Sequence, residues 1–280
     1  MTSRSKGFIT VTRTAIAVSL LAGFLAACAA APGDADIVGR YCTTSTPFPI
    51  PSQPINVDDL PKHVSPAIRD KAIAAARKYY RSHQYMIELA RIDAAAQAYV
   101  IKRAQDNAAK NPPDKLALVL DIDETSLSNW PEIDANNFDY FQDGPCPIDA
   151  NGKIVGHTCG AVAWDKTEKA TAIKPTLDLF NTAKKYGVTV FFITGRDKSE
   201  KEWTEENLRK AGYADWQELM MRPPNPPKDE LVDTYKTLQR AKLMARGYTI
   251  VASVGDQPSD LQGGCAESAY LLPDPFYRIP

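Results

Sequence analysis

The apolar run Leu116-Ala117-Leu118-Val119-Leu120 stops abruptly at Asp121-Ile122-Asp123. A run of this length with no polar interruption reads as a strand buried on both faces of a parallel sheet. The two aspartates then emerge at its carboxyl end, where open α/β sheets place their ligands. Alternate residues of an extended chain point the same way, so Asp121 and Asp123 can face one site. Carboxylates that close repel each other unless a cation or a proton lies between them. An isolated Asp-x-Asp is equally compatible with a solvated strand end, so the reading depends on three further segments.

The first is Val188-Thr189-Val190-Phe191-Phe192-Ile193, a second β-rich run, which ends in Thr194-Gly195-Arg196. A hydroxyl and an unobstructed backbone N–H at a strand tip suit an oxyanion. The second is a helix expected to begin near Asp229, with Leu231, Tyr235, Leu238, Ala241, Leu243 and Met244 as its apolar stripe and Lys236 within it. A lone helical lysine is ordinarily a solvated charge; its neighbourhood here argues otherwise. The third is the strand Tyr248–Val254, which runs into Gly255-Asp256-Gln257-Pro258-Ser259-Asp260. Helical patterns lie between these strands: one starting at Pro175 and stopped by Gly187, another over 199–211 closed by Gly212, then a short strand at 219–222. Alternating strands and helices predict an α/β fold, a parallel sheet flanked by helices with its strand tips at one edge. Four carboxylates, a hydroxyl-glycine turn and a lysine would share that crevice.

The remaining segments divide the chain. Residues 63–111 carry apolar positions at helical spacing from Ala72 to Ile101 and end at Asn111-Pro112-Pro113, which predicts a helical extension. Residues 28–62 are rich in Pro and Thr and are expected to form an extended tether. Residues 129–163, rich in Asp, Asn, Gly and Pro, predict a lid or cap inserted in the core of 112–280. Trp130, Phe138, Tyr140 and Phe141 in that lid either stack on a substrate ring or form the lid's own core.

Residues 1–27 read as a signal peptide: Arg4, Lys6 and Arg13, then a short apolar core from Ala15 to Leu25. Leu25-Ala26-Ala27-Cys28 resembles a bacterial lipobox, with Cys28 as the lipid-bearing first residue and Ala29 after it, which predicts an outer-membrane lipoprotein facing the periplasm. Cleavage within Ala29–Ala31 would give a soluble exported protein instead. The chain carries 33 Lys+Arg against 34 Asp+Glu, and the leader takes three of the bases. Such a balance offers no footprint for a nucleic-acid polymer. With Cys28 lipidated, Cys42, Cys146, Cys159 and Cys265 remain, an even number that suits disulfides in an oxidising compartment. Of the three possible pairings, local closure favours Cys146–Cys159, leaving Cys42 with Cys265. No Cys-x-x-Cys or paired histidines support zinc. Oligomeric state is not readable.

The ordered set Asp121-Ile122-Asp123-Glu124-Thr125, Thr194-Gly195-Arg196, Lys236 and Gly255-Asp256-Gln257-Pro258-Ser259-Asp260 resembles the haloacid dehalogenase (HAD) superfamily. Within it, these segments, Tyr235-Lys236-Thr237-Leu238-Gln239-Arg240 and the ending Leu271-Leu272-Pro273-Asp274-Pro275-Phe276-Tyr277 look most like four-aspartate acid phosphatases. That group includes bacterial class C lipoprotein phosphatases and plant vegetative storage proteins. Two departures stand out: Ser126, where the group has an apolar residue, and a longer Cys-containing insertion near 142–160.

The resemblance implies a Rossmann-like core and a Mg²⁺-dependent acid phosphatase acting on small phosphate monoesters, nucleoside monophosphates among them. It implies Asp121 as nucleophile, Asp123 as general acid and base, and Thr194, the Gly195 N–H and Lys236 as phosphoryl ligands. Mg²⁺ is expected among Asp121, Asp123 (through its carbonyl), Asp256 and Asp260, and Thr125 is expected to fix the turn. Other phosphatase chemistries are excluded. No cysteine is followed by arginine six positions on, His63, His83 and His157 are too scattered for a histidine site, and no P-loop is present. A phosphotransferase using the same site, or a non-catalytic storage or binding protein of the same fold, remains open.

Overall fold

The computed structural model describes residues 33–42, 46–156, 158–224 and 231–279. The leader, Cys28, His157 and Asp229 lie outside the described residues. In chain order the elements are α1 (Asp34–Tyr41), α2 (Pro66–Arg81), α3 (Gln84–Ala108), β1 (Lys115–Leu120), β2 (Leu127–Ser128), α4 (Trp130–Ala135), α5 (Ala161–Asp165), β3 (Thr171–Ala172), α6 (Lys174–Lys185), β4 (Thr189–Asp197), α7 (Lys201–Lys210), β5 (Glu218–Arg222), α8 (Val232–Ala245), β6 (Tyr248–Gly255) and β7 (Ser268–Leu271).

Five strands form one sheet in the order β5-β4-β1-β6-β7, and every pair within it is parallel. β1 is central because it can be: Leu116, Leu118 and Leu120 join the core that includes α2, α3 and α6, while Ala117 and Val119 pack with Tyr235 and Leu243 of α8 on the other face. A strand buried on both sides needs apolar residues at every position, which is the pattern first seen in the sequence. The chain leaves β1 for β4 and β5 on one side, then returns to β6 and β7 on the other. The crevice at the carboxyl ends of β1, β4 and β6 is therefore the topological switch point.

Two local differences from the sequence expectations, in the amino-terminal arm and in the lid, have physical causes, while the helical extension, expected as one helix or two, takes the second form. Asp34–Tyr41, expected to be extended, is a helix with Asp34 and Asp36 in its first turn and Arg40 in its last, charges that complement its dipole. It packs on α8, where Asp34 meets Lys242 at 3.2 Å, and the Cys42–Cys265 disulfide pins its end. The helical extension is two helices, broken where His83 adopts a left-handed φ of 62°. The lid is not irregular throughout, since it contains α4 and α5 and is closed by the Cys146–Cys159 disulfide.

Within the lid the aromatics mostly serve packing. Trp130 stacks on Tyr80 of α2 at 3.7 Å between ring centroids, and Phe138 and Phe276 meet Trp130 edge-on. Arg77 and Arg81 of α2 both pair with Asp134 at the foot of the lid. Tyr140 by contrast is 72% exposed.

Candidate active site

The loop after β1 is built to hold two acids still. The Asp121 N–H donates to Val254 O at 3.0 Å, so the residue continues the β1–β6 ladder, and its carboxylate is buried. The chain then turns tightly, with the N–H groups of Thr125, Ser126 and Leu127 all directed at Ile122 O. Glu124 takes a left-handed φ of 49° in this turn, a conformation a side chain resists. Its carboxylate accepts the Asn129 N–H at 2.6 Å, which ties the turn shut. Ser126, the departure from the family pattern, is fully buried; its Oγ donates to Asp121 O at 2.6 Å and its carbonyl accepts from Tyr213 Oη at 2.9 Å. A hydroxyl here thus anchors the backbone of Asp121.

Carboxylate oxygens of Asp121, Asp256 and Asp260, all buried, lie within 4.8 Å of one another. Lys236 donates to Asp121 Oδ1 at 2.7 Å and also to Asp260 Oδ1. Burial would lower the lysine, but the Asp121 and Asp260 carboxylates outweigh it and raise its pKa, so it stays charged. Asp256 accepts from Thr125 Oγ1 at 2.9 Å and from Gln257 Nε2 at 2.7 Å. Gly255 is required by packing, because a Cβ there would stand 2.2 Å from Asp260 Oδ2. Burial first, then the charge of Asp260, pushes Asp121 up to about 7, and burial with Asp274, Asp260 and Asp121 holds Asp256 well above the usual carboxylate range. The charge of one lysine does not balance that of three buried carboxylates, and a further cation among them would. An all-oxygen donor set of this kind fits a hard divalent ion.

The fourth aspartate faces a different partner. Arg196 Nη2 donates to Asp123 Oδ1 at 2.6 Å and its Nε donates to Asp123 Oδ2 at 3.1 Å, while Nη2 also lies 2.9 Å from Asp165. Asn129 Nδ2 adds a donor to Asp123 Oδ1 at 2.8 Å, and Trp164 Nε1 fixes that amide through Asn129 Oδ1 at 2.9 Å. Burial alone would raise Asp123, but the Arg196 guanidinium and these hydrogen bonds outweigh it and hold the carboxyl below its usual range. The Asp123 side chain is therefore held outside the three-carboxylate cluster.

Thr194 is buried within β4, three residues before its end, its Oγ1 accepting the Arg196 N–H at 3.1 Å. Gly195 follows it, partly exposed, and among the described residues a Cβ there would meet only Val232 Cγ1 at 3.6 Å. Arg196, Asn129, Gln257 and Arg240 were not given roles in the sequence. Arg240 is buried and donates to the carbonyls of Asp260, Gly264 and Gln262, pinning the loop after the last aspartates. Arg196 and Gln257 did carry a signal, since each sits inside a motif; Asn129 carried none.

A family model described as HAD superfamily, subfamily IIIB (acid phosphatase) matches residues 61–280. The stem 28 kDa glycoprotein of Glycine max is 30% identical over 214 residues, 76% of this chain and 76% of that one. Acid phosphatase 1 of Solanum lycopersicum is 32% identical over 162 residues, 58% of each chain. Vegetative storage protein 1 of Arabidopsis thaliana is 27% identical over 228 residues, 81% of this chain and 74% of that one. Among solved structures, the class C acid phosphatase from Bacillus anthracis superposes with a TM-score of 0.54 at 20% identity, over 75% of this chain and 86% of that one. At that identity the likeness speaks for the fold.

Proposed function

Because this chain belongs to the acid phosphatases of HAD subfamily IIIB and is a phosphomonoesterase, we propose that it works through an aspartyl-phosphate on Asp121, with Asp123 as proton donor and acceptor. The observation that carries this reading is the pairing of a buried carboxylate cluster at Asp121, Asp256 and Asp260 with a separately clamped Asp123 two residues from Asp121. In the first step an Asp121 oxygen bonds to phosphorus, the bond from phosphorus to the ester oxygen breaks, and Asp123 gives that oxygen a proton. In the second, water attacks phosphorus, its proton passes to Asp123, and Asp121 is released as a carboxylate. Thr194, the Gly195 N–H and Lys236 would hold the phosphoryl oxygens. Asp121, Asp256, Asp260 and the Asp123 carbonyl would hold the ion, for which we propose Mg²⁺; it would supply charge compensation at phosphorus.

Small phosphate monoesters are the proposed substrates. With Trp130 and Phe138 engaged in packing, Tyr140 is the lid ring most available to a planar leaving group such as a nucleoside. The test is hydrolysis of p-nitrophenyl phosphate and nucleoside monophosphates at acid pH, by wild type and Asp121→Asn, each with Mg²⁺ and with EDTA. Substitution and chelation are each expected to abolish turnover. A wild type that binds Mg²⁺ but hydrolyses nothing would favour the storage role suggested by the names of the plant relatives.

Two disulfides fit an exported protein, and among the described residues no helix is long and apolar enough to cross a membrane. We propose lipid attachment at Cys28, which would tether the protein to a membrane without such a helix. In detergent phase separation the wild type is expected in the detergent phase and Cys28→Ser in the aqueous phase; equal partitioning would refute the anchor.

A further inference from the structure

Among the described residues, those after β7 supply none of the clustered carboxylates, yet they reach that cluster through the Gln257 amide and through the Asp274 carboxyl, which lies beside Asp256. Gln257, buried between the two aspartates of its motif, donates from Nε2 to Asp256 Oδ2 at 2.7 Å and to Asp274 Oδ2, and from its backbone N–H to Asp260 Oδ2 at 2.9 Å. Its Oε1 accepts the Ile279 N–H at 3.3 Å, so the amide has one orientation that satisfies all its partners. One residue thus holds an oxygen of each of two clustered carboxylates. Their other oxygens are bound elsewhere, Asp256 Oδ1 by Thr125 and Asp260 Oδ1 by Lys236.

The tail is itself immobilised. Asn56 Nδ2 donates to Asp274 O at 2.7 Å and to Tyr277 O at 2.6 Å, and Asp274 Oδ1 accepts the Phe276 N–H at 2.8 Å. Phe276 is buried against Tyr80, Tyr85, Trp130 and Phe138. Arg278 pairs with Asp59 at 3.2 Å. Asp274 therefore presents its Oδ2 to Gln257 from a fixed backbone.

We propose that Gln257 and Asp274 are positioning residues that hold Asp256 and Asp260 ready for the cation, so that the carboxyl-terminal tail sets the metal affinity of a site to which it lends no ligand. The inference rests on the metal-dependent reading above. Partners behind a first ring of ligands act by fixing ligand orientation, and losing one typically costs about 10- to 100-fold in metal affinity. Without the Gln257 amide, Asp256 keeps the Thr125 hydroxyl but loses the donor on its other oxygen and can turn under the repulsion of Asp260, so the ion must reorder it on binding.

The test is calorimetric titration of Mg²⁺ into the full mature chain as wild type, Gln257→Met and Asp274→Asn, with melting of each in EDTA. Asp274→Asn keeps the shape of the side chain and an acceptor for the Phe276 N–H but turns an amide toward the Gln257 amide, so it is the milder of the two. Both variants are expected to bind Mg²⁺ about 10- to 100-fold more weakly, with metal-free melting close to wild type and kcat recovering as Mg²⁺ is raised. Melting temperatures that fall while the Mg²⁺ affinity stays at the wild-type value would overturn the inference and leave a purely structural role. A wild type that takes up no divalent ion would overturn the metal reading itself, an outcome separable from the first.

Discussion

Asp121 and Asp123 stand two residues apart in nearly opposite surroundings, and each is biased against its role until the cation neutralises the cluster around Asp121 and the phosphate brings negative charge beside Asp123. Asp121 is buried beside Asp260 and pushed up to about 7, whereas Asp123 is held below its usual range by Arg196. A group that must give a proton to a leaving oxygen matters in proportion to how poor that oxygen is as a leaving group. Asp123→Asn is therefore expected to lower kcat by about 10²- to 10⁴-fold on an alkyl phosphate such as glycerol phosphate. On p-nitrophenyl phosphate, whose leaving group needs little protonation, Asp121 would still be phosphorylated quickly while the water step, robbed of its base, stalls. The rapid-quench signature is a burst of one p-nitrophenol per site followed by slow turnover. Equal losses on both substrates with no burst would remove Asp123 from proton transfer and leave it a partner for Arg196.

At the scale of elements, what the sequence made legible follows the range of the interactions involved. β1 could be read because burial on both faces demands apolar residues at every position, and Leu116–Leu120 meets that demand without help from elsewhere. The strand tips were legible for the same reason: Asp121 and Asp256 end apolar runs, with Asp260 four positions after the second, and α/β topology alone brings such ends to one edge. Lys236 was legible only through the motifs on either side of it. Residues whose roles depend on distant partners were not. Asn129 matters because Trp164 orients it, 35 positions away, and Asp274 because Gln257 and Asn56 reach it from opposite ends of the chain. α1 was hidden too, since eight residues are too short to be a stable helix alone; its stability comes from α8 and from the disulfide to Cys265. Arg196 lay in plain view inside Thr-Gly-Arg, but nothing in the linear order says that its guanidinium turns toward Asp123 rather than toward solvent.

Across the whole molecule, buried carboxyls outside the site tie stability to pH. Asp93 of α3 is 2% exposed against α6, where Thr176 Oγ1 donates to its Oδ2 at 3.0 Å. Burial raises it to about 7, and Glu132 of α4, also buried, to about 8. In the unfolded chain both titrate near pH 4. Between that pH and about 7 to 8 the folded state binds more protons than the unfolded one, so stability is full below the unfolded values and is lost as the pH rises through the folded ones. Glu88, hydrogen-bonded by Arg91, and Glu205, where the Lys201 bond outweighs desolvation, have lowered values and act with the opposite sign, losing their small contribution only as the pH falls through their folded values. The two trends bracket a stability maximum in mildly acid solution, the range in which an acid phosphatase operates. Asp93→Asn keeps the shape and removes the ionisation. By calorimetry in EDTA, the wild type is expected to melt highest near pH 4, where the two trends meet, and to lose on the order of 3–5 kcal/mol per buried acid toward pH 8. The Asp93→Asn variant should lose less over that range and should be the more stable of the two at pH 8. Parallel curves for the two proteins would mean that Asp93 ionises inside the fold without penalty, and the acid preference would then have to come from Glu132 and the active site.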